Sequence, residues 1–419
     1  MKYRMCNPTW KIAGVSWTRQ IRVIVPLWLL LFLSVARVPA AAITSPMNNN
    51  NAQIGVYYRY FITADNQPAS FAADGLPSGI SLNETTGEMS GTPTAAGSFA
   101  IQVSAIGTNG AVTASVPLTV YPEHPAVPTY ILRLSDKVPA ECPYGYAEFL
   151  PQSYNTGSTE MHPLIINLHA LVRPLVRGDN KGNRLWDTGR AISGTLAMEQ
   201  FEPRDCIALA PETEKWWNVT NLHAFLAYAF SHYRVDRSRV YLYGFSMGGG
   251  GTWEYVKVYG GEIAACVAVS GASNPKQAGD GAKFIGVPTW AFHMWDDKTV
   301  TRSNSIQWCN EIARAWSGNA SDVLANYPGA GTEPGTNGMT ATYDPGTGWR
   351  WFEGYTSRGD NNLRFTLWPT GGHGGGLLLA FFGQVPGGTK VTPQMWDWLF
   401  KQRKTMPAPD NAAQPRNKE

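Results

Sequence analysis

Gly244-Phe245-Ser246-Met247-Gly248 follows the apolar run Val240-Tyr241-Leu242-Tyr243 and precedes a stretch, Thr252 to Tyr259, that reads as helix. Strand, Gly-x-Ser-x-Gly, then helix is the context of a nucleophile elbow. So tight a turn needs residues without side chains beside the serine, and it pushes the hydroxyl out at the end of a sheet. The helix start behind it offers free backbone N–H groups and a positive dipole end to an oxyanion. Taken alone, the pentapeptide is equally a Gly-rich turn with a solvated serine. Its surroundings tip the balance.

A serine hydroxyl is a weak nucleophile near neutral pH. It needs an imidazole to take its proton and a carboxylate to orient that imidazole. Two strand ends downstream supply both. Pro288-Thr289-Trp290-Ala291-Phe292-His293 reads as a buried strand, with Met294-Trp295-Asp296-Asp297 as the loop after it. Leu363 to Trp368 reads as the next strand, followed by Pro369-Thr370-Gly371-Gly372-His373. His373 is assigned as the base and Asp297 as its acid, with Asp296 as the alternative. The remaining histidines fit structural or solvated positions: His124 in a linker, His223 and His232 on a helix, His162 and His293 at strand ends. Trp216 and Trp217 follow a strand end, and Trp295 lies two residues before the proposed acid. These three are the candidate substrate contacts, because tryptophan offers a broad apolar face.

Residues 1–42 read as a secretory signal peptide. The first 40 hold Lys2, Arg4, Lys11, Arg19, Arg22 and Arg37 and no acidic residue, with an apolar run from Val23 to Ala36 and then Ala40-Ala41-Ala42. Arg22 and Arg37 bracket too few residues for a membrane span, which needs about 20. Cleavage after Ala40 or Ala42 leaves 28 basic against 31 acidic residues. That near-neutral balance argues against nucleic acid as a partner and implies a secreted or periplasmic protein with no stable membrane insertion once the leader is gone. Cys142, Cys206, Cys266 and Cys309 remain. They lack Cys-x-x-Cys spacing, so no metal site is expected, and buried free thiols are the default reading.

Composition changes near residue 121. Phe99, Ile101, Val103 and Ala105 alternate with polar residues, as do Val112, Ala114, Val116, Leu118 and Val120. Joined through Gly107-Thr108-Asn109-Gly110, the two runs make a hairpin, and residues 43–121 read as a small β-sandwich. Residues 122–130, rich in proline, form a linker. Beyond it, strands alternate with helices over 131–406, the signature of a mostly parallel sheet covered on both faces. Leu222, Phe225, Leu226, Ala229, Phe230 and Tyr233 form a core-facing helical stripe. The stretch 318–362 reads as a long loop dense in Gly, Thr and Asn, with Trp349 and Trp351 placed to close over the opening as a lid. A polar tail, 407–419, ends the chain.

Two resemblances follow from these motifs. Gly75-Leu76-Pro77-Ser78-Gly79 and Thr86-Gly87-Glu88-Met89-Ser90-Gly91-Thr92-Pro93 resemble the signatures of a bacterial immunoglobulin-like domain. The C-terminal part resembles the secreted α/β-hydrolases of the predicted-peptidase and phospholipase/carboxylesterase-like branch. It does so through Pro163 to His169, Ala208-Leu209-Ala210-Pro211-Glu212, Val235 to Gly249, Val287 to His293 and Trp396-Asp397-Trp398-Leu399-Phe400. In that family the acid lies in His-x-x-x-Asp-x-x-Val, which His293, Asp297 and Val300 fit.

The resemblance implies an α/β-hydrolase with a Ser246-His373-Asp297 triad. It also implies an oxyanion hole from the backbone N–H of Met247 and of Ala170 or Leu171. Ala170 stands where the family has glycine after His169, and Gly374-Gly375-Gly376 stand where it has polar and aromatic residues. The expected activity is hydrolysis of a small-molecule or polymer-linked ester through an acyl-enzyme, with no cofactor and no metal. A serine peptidase with the same triad and an inactive glycan-binding surface protein are the alternatives. The immunoglobulin-like domain reads as a spacer or packing partner, with glycan contact as its other possible role.

Overall fold

Alternation of apolar and polar residues over 50–121 builds two small, mostly antiparallel sheets. The computed structural model describes residues 42–45, 50–65, 68–108, 110–122, 130–154, 158–171, 201–317, 331–334, 339–344, 349–355, 361–368, 370–375 and 395–404. The expected signal peptide up to residue 41, residues 123–129 of the expected linker and the expected polar tail lie outside the described residues.

The strands of the sandwich are β1 (Asn50–Gln53), β2 (Tyr58–Phe61), β3 (Ser70–Asp74), β4 (Ile80–Asn83), β5 (Glu88–Gly91), β6 (Gly97–Gly107) and β7 (Gly110–Tyr121). One sheet has the order β1-β7-β6-β3 and the other β2-β5-β4. Ile101, Val103 and Ala105 of β6 and Val116, Leu118 and Val120 of β7 point inward, each at most 2% exposed. Their polar neighbours face water, as period-two alternation requires. The two glycine signatures have a shared steric cause. A Cβ on Gly79 would lie 2.0 Å from Thr92 O, and one on Gly91 would lie 2.0 Å from Gly79 O. Each motif needs its glycine because the other passes so close.

The larger sheet begins with β8 (Tyr130–Arg133), β9 (Tyr146–Phe149), β10 (His162–Leu168), β11 (Ile207–Pro211) and β12 (Val235–Phe245). It continues with β13 (Ala265–Val269), β14 (Thr289–Met294), β15 (Gly331–Pro334), β16 (Met339–Asp344), β17 (Trp349–Tyr355) and β18 (Asn361–Trp368). Its order is β15-β16-β17-β18-β14-β13-β12-β10-β11-β9-β8. β11, β10, β12, β13, β14 and β18 are parallel to one another. Antiparallel strands lie on both sides of this central block. Every residue of β10, β11, β13 and β14 is buried, which explains why apolar residues dominate them, with His162, Asn167, Thr289 and His293 as the polar exceptions.

Four helices cover the sheet among the described residues: α1 (Val219–His232), α2 (Met247–Tyr259), α3 (Ser303–Ser317) and α4 (Met395–Lys401). The first three share one apolar cluster, through Leu222, Phe225 and Leu226 of α1, Trp253 and Val256 of α2, and Trp308 and Ile312 of α3. α4 packs Trp396 and Leu399 into the other cluster. Cys142, Cys206, Cys266 and Cys309 are buried free thiols. Burial raises the pKa of the Cys266 thiol to about 12 and that of Cys142 to about 11.

One expectation changes. The described parts of 331–355 are strands hydrogen-bonded in sequence onto β18, whereas the sequence suggests a loop folded over the opening. By composition, Thr340, Thr342, Tyr343, Trp349 and Trp351 are residue types that favour strands, a preference the many glycines around them hide. Of spacer and packing partner, the two roles the sequence left to the sandwich, its contacts are those of a packing partner. Its core and that of the larger sheet form one buried cluster, which includes Tyr130, Leu132 and Leu134. Arg59 makes a two-pronged contact with Asp136, at 3.3 and 2.7 Å, and Arg133 Nη2 donates to Gln53 Oε1 at 3.3 Å.

Candidate active site

Ser246 sits between β12 and α2 with φ 57° and ψ −115°, a conformation few non-glycine residues adopt. Backbone bonds hold it there. Its N–H donates to Val269 O at 2.9 Å, and its carbonyl accepts from Gly250 N–H and Ala272 N–H, both at 2.9 Å. The flanking glycines are a geometric necessity. A Cβ on Gly244 would lie 2.1 Å from Gly248 O, and one on Gly248 would lie 1.9 Å from Leu168 O. The strained elbow is therefore pinned by β13 on one side and by the end of β10 on the other.

His373 lies in a helical turn, residues 372–375, shortly after β18. Its Nε2 is 2.8 Å from Ser246 Oγ and its Nδ1 is 2.7 Å from Asp297 Oδ2. Burial alone would raise the pKa of Asp297, but hydrogen bonds from His293, His373, Val300 N–H and Thr299 N–H outweigh it and hold the carboxyl below its ordinary range. Asp297 is thus a carboxylate, which only accepts, so Nδ1 of His373 carries the proton. Nε2 of the neutral ring is then free to accept from the Ser246 hydroxyl. The Phe245 ring lies 4.8 Å from the imidazole, tilted by 33°.

The aspartate is held as firmly as the serine. Oδ1 accepts from Thr299 N–H at 2.9 Å and Val300 N–H at 3.0 Å. On its other side the fully buried His293 places Nε2 3.4 Å from Oδ2 and 3.0 Å from Val300 O. Because Val300 O can only accept, Nε2 of His293 is protonated, and its Nδ1 accepts from Ser305 Oγ at 2.8 Å. Sequence reasoning set His293 aside as structural and missed that it touches the acid. The i,i+4 spacing in His293-x-x-x-Asp297 was the available signal.

Met247 opens α2, so its N–H has no acceptor within the helix. The Leu168 and His169 carbonyls press on Gly248, which brings the segment that carries Ala170 and Leu171 beside the elbow. His169 anchors that segment. Its Nε2 accepts from Thr213 N–H at 3.1 Å, so its Nδ1 is the protonated nitrogen and donates to Ala170 O at 2.6 Å. Leu171 is 57% exposed.

The three tryptophans diverge. Trp216 is 61% exposed. Trp217 is buried, donates Nε1–H to His169 O at 3.2 Å, and fills the space where a Cβ on Gly251 would stand. Its face is used for packing, so the structure does not offer it to a ligand. Trp295 is half-buried, and the Arg302 guanidinium lies 3.8 Å over its ring. Asp296, the alternative acid, does not reach the imidazole. Its oxygens accept from Gly371 and Gly372 N–H.

Glu160, His162 and Asp205 bring ligand-type atoms within 4.8 Å of one another. The Ser153 hydroxyl donates to Asp205, and His162 Nδ1 lies 3.2 Å from the same carboxylate, while the buried Nε2 of His162 has no hydrogen-bond partner among the described residues.

A central parallel block in which β11 lies between β9 and β10, with a serine at the turn after β12, defines an α/β-hydrolase fold. In front of it stands an immunoglobulin-like sandwich. Residues 37–121 match the family model described as "Putative Ig domain". No curated protein matches the sequence. Among solved structures, the chain is similar to a thermostable esterase at 15% identity and a TM-score of 0.43, over 83% of this chain and 90% of that one. It is also similar to an acetyl xylan esterase from Aspergillus awamori at 14% identity and a TM-score of 0.38, over 58% of this chain and 94% of that one. A ferulic acid esterase is similar at 17% identity and a TM-score of 0.33, over 45% of this chain and 86% of that one.

Proposed function

We propose that this protein is an exported serine esterase that hydrolyses carboxylic esters through Ser246, His373 and Asp297. One observation carries the reading: the unbroken line of short hydrogen bonds from Asp297 through the His373 imidazole to Ser246 Oγ, 2.7 and 2.8 Å long. Such a line lets the serine lose its proton as it attacks.

Ser246 Oγ forms a bond to the ester carbonyl carbon, and its proton passes to His373 Nε2. Asp297 stabilises the imidazolium, while the N–H groups of Met247 and of Ala170 or Leu171 receive the oxyanion. The intermediate collapses as the C–O bond to the alcohol breaks, and His373 returns its proton to the leaving oxygen. Water then attacks the acyl-enzyme by the same route and releases the acid. The side chains of this route need no bound metal or organic cofactor. Trp216, which is exposed, and Trp295, two residues before Asp297, are the contacts offered to a short acyl or aromatic ester, free or attached to a polymer.

Export rests on the basic front, the apolar run and the small residues within 1–42. Among the described residues, no helix is long and apolar enough to cross a membrane.

The test is turnover on acetate, butyrate, feruloyl, acetyl-sugar and peptide substrates, together with labelling by a fluorophosphonate and mass spectrometry of the adduct. Modification at Ser246, and losses on the order of 10³-fold in Ser246→Ala and His373→Ala, are expected. Unchanged ester turnover in Ser246→Ala would sink the reading, and cleavage of peptides alone would turn it into that of a peptidase.

A further inference from the structure

Asp296 and Asp297 are neighbours with separate tasks. Asp297 turns inward to His373 Nδ1, while Asp296 stays at the surface. Its Oδ1 accepts from Gly372 N–H at 2.8 Å and its Oδ2 from Gly371 N–H at 3.2 Å. These are the two residues that lead into His373. Their φ values are +139° for Gly371 and +58° for Gly372, a region glycine enters freely and leaves as freely. The helical turn 372–375 that follows is closed by Gly375 N–H donating to Gly371 O at 3.1 Å.

We propose that Asp296 is a positioning residue for His373. Its carboxylate caps, from a different loop, the glycine turn that presents the imidazole to Ser246 and Asp297. This inference rests on the reading of His373 as the general base.

The need for such a clamp follows from the composition of the turn. Gly371, Gly372, Gly374 and Gly375 surround His373, so the turn has almost no side chains with which to pack. The imidazole must nevertheless keep two bonds below 3 Å at once, one to a strained serine and one to an immobilised aspartate. A carboxylate that accepts from both preceding N–H groups removes the freedom the glycines would otherwise leave. It comes from the same loop as Asp297, so acid and base are held in one register. Consecutive aspartates, one facing in and one clamping, accomplish this with a single loop.

The test compares Asp296→Ala and Asp296→Asn in the full mature chain, each first checked by a thermal melt. The readouts are kcat and KM on an acetate ester, and the far-downfield proton resonance of His373 Nδ1–H bonded to Asp297. Asp296→Ala should lose roughly 10–100-fold in kcat with little change in KM, because misplacing a reacting group acts on the chemical step. Its downfield resonance should weaken or vanish. Asp296→Asn keeps a carbonyl acceptor for one of the two N–H groups and should fall between alanine and wild type on both readouts. Wild-type kcat and resonance in Asp296→Ala would overturn the proposal. So would an asparagine variant as slow as alanine with its resonance intact, since charge and not position would then be the cause. If Asp296→Ala does not fold, Asp296→Asn decides: an intermediate loss with a weakened resonance supports the clamp, and wild-type values overturn it. If wild type cleaves no ester, the proposed function fails, and the resonance alone still reads the clamp.

Discussion

A Cβ on Gly248 would stand 1.9 Å from the carbonyl oxygen of Leu168. The second glycine of the serine motif is therefore the point where α2 and the end of β10 meet. Gly248→Ala must push them apart, which should cost about 3 kcal/mol or more from overpacking against backbone that cannot yield. A urea melt would show this as a large drop in midpoint. A midpoint within error of wild type would mean that the contact relaxes easily and that the glycine serves the turn alone.

Asp297 gives the fold a defined acid response. Its folded-state pKa lies below the ordinary carboxyl value, so its stabilising effect is fully present above the unfolded value of about 3.9 and is lost as pH falls towards the folded one. The difference in Tm between wild type and Asp297→Asn should stay level from neutral pH to about pH 5 and shrink below about pH 4. A difference that is flat or growing on acidification would show that the four hydrogen bonds do not favour the carboxylate. Asp297→Asn should also slow ester turnover at neutral pH, because an amide cannot support the imidazolium.

Trp216 and Trp217 are adjacent but should respond differently. Trp217→Ala removes a buried ring packed against Gly251 and bonded to His169 O. It should destabilise the fold by about 3–5 kcal/mol. Trp216→Ala removes an exposed ring and should leave Tm within a few degrees while raising KM for aromatic esters more than for acetate. An equal rise in KM on every ester would assign Trp216 no role in selectivity.

The sandwich should matter for stability. A chain starting at Tyr130 exposes Tyr130, Leu132 and Leu134, now 2%, 8% and 3% accessible, and loses the Arg59–Asp136 contact. The fragment should melt lower and bind a hydrophobic dye, yet still turn over small esters. The ion pair is the lesser part, since Asp136 is half exposed and such pairs contribute about 1 kcal/mol or less. If the fragment melts with the full chain, the shared core contributes nothing measurable.

Much of this was legible in the chain itself. The elbow could be read because its chemistry is local: a serine thrown out of a tight turn demands glycines on both sides. The sheet's central strands could be read because strands covered on both faces are mostly apolar, and the hairpin of β6 and β7 because alternation has a period of two. The order of serine, acid and histidine after the ends of β12, β14 and β18 was visible for the same reason.

What lay beyond the sequence involves partners distant along the chain. The ribbon β15–β17 gains its stability from pairing onto β18, and the glycines around it masked that. Trp217 and Trp216 look alike as neighbours, and only the approach of Gly251 sends one inward. His293 was legible as buried but not as a partner of Asp297, because the turn between them had first to bring the side chains to one side. The sequence ranked Asp297 ahead of Asp296 as the acid, through the spacing His293-x-x-x-Asp297-x-x-Val300, but said nothing of what Asp296 binds. Two consecutive carboxylates have the same chemistry, and only the position of the glycine turn, 75 residues later, determines which faces the imidazole and which faces the backbone.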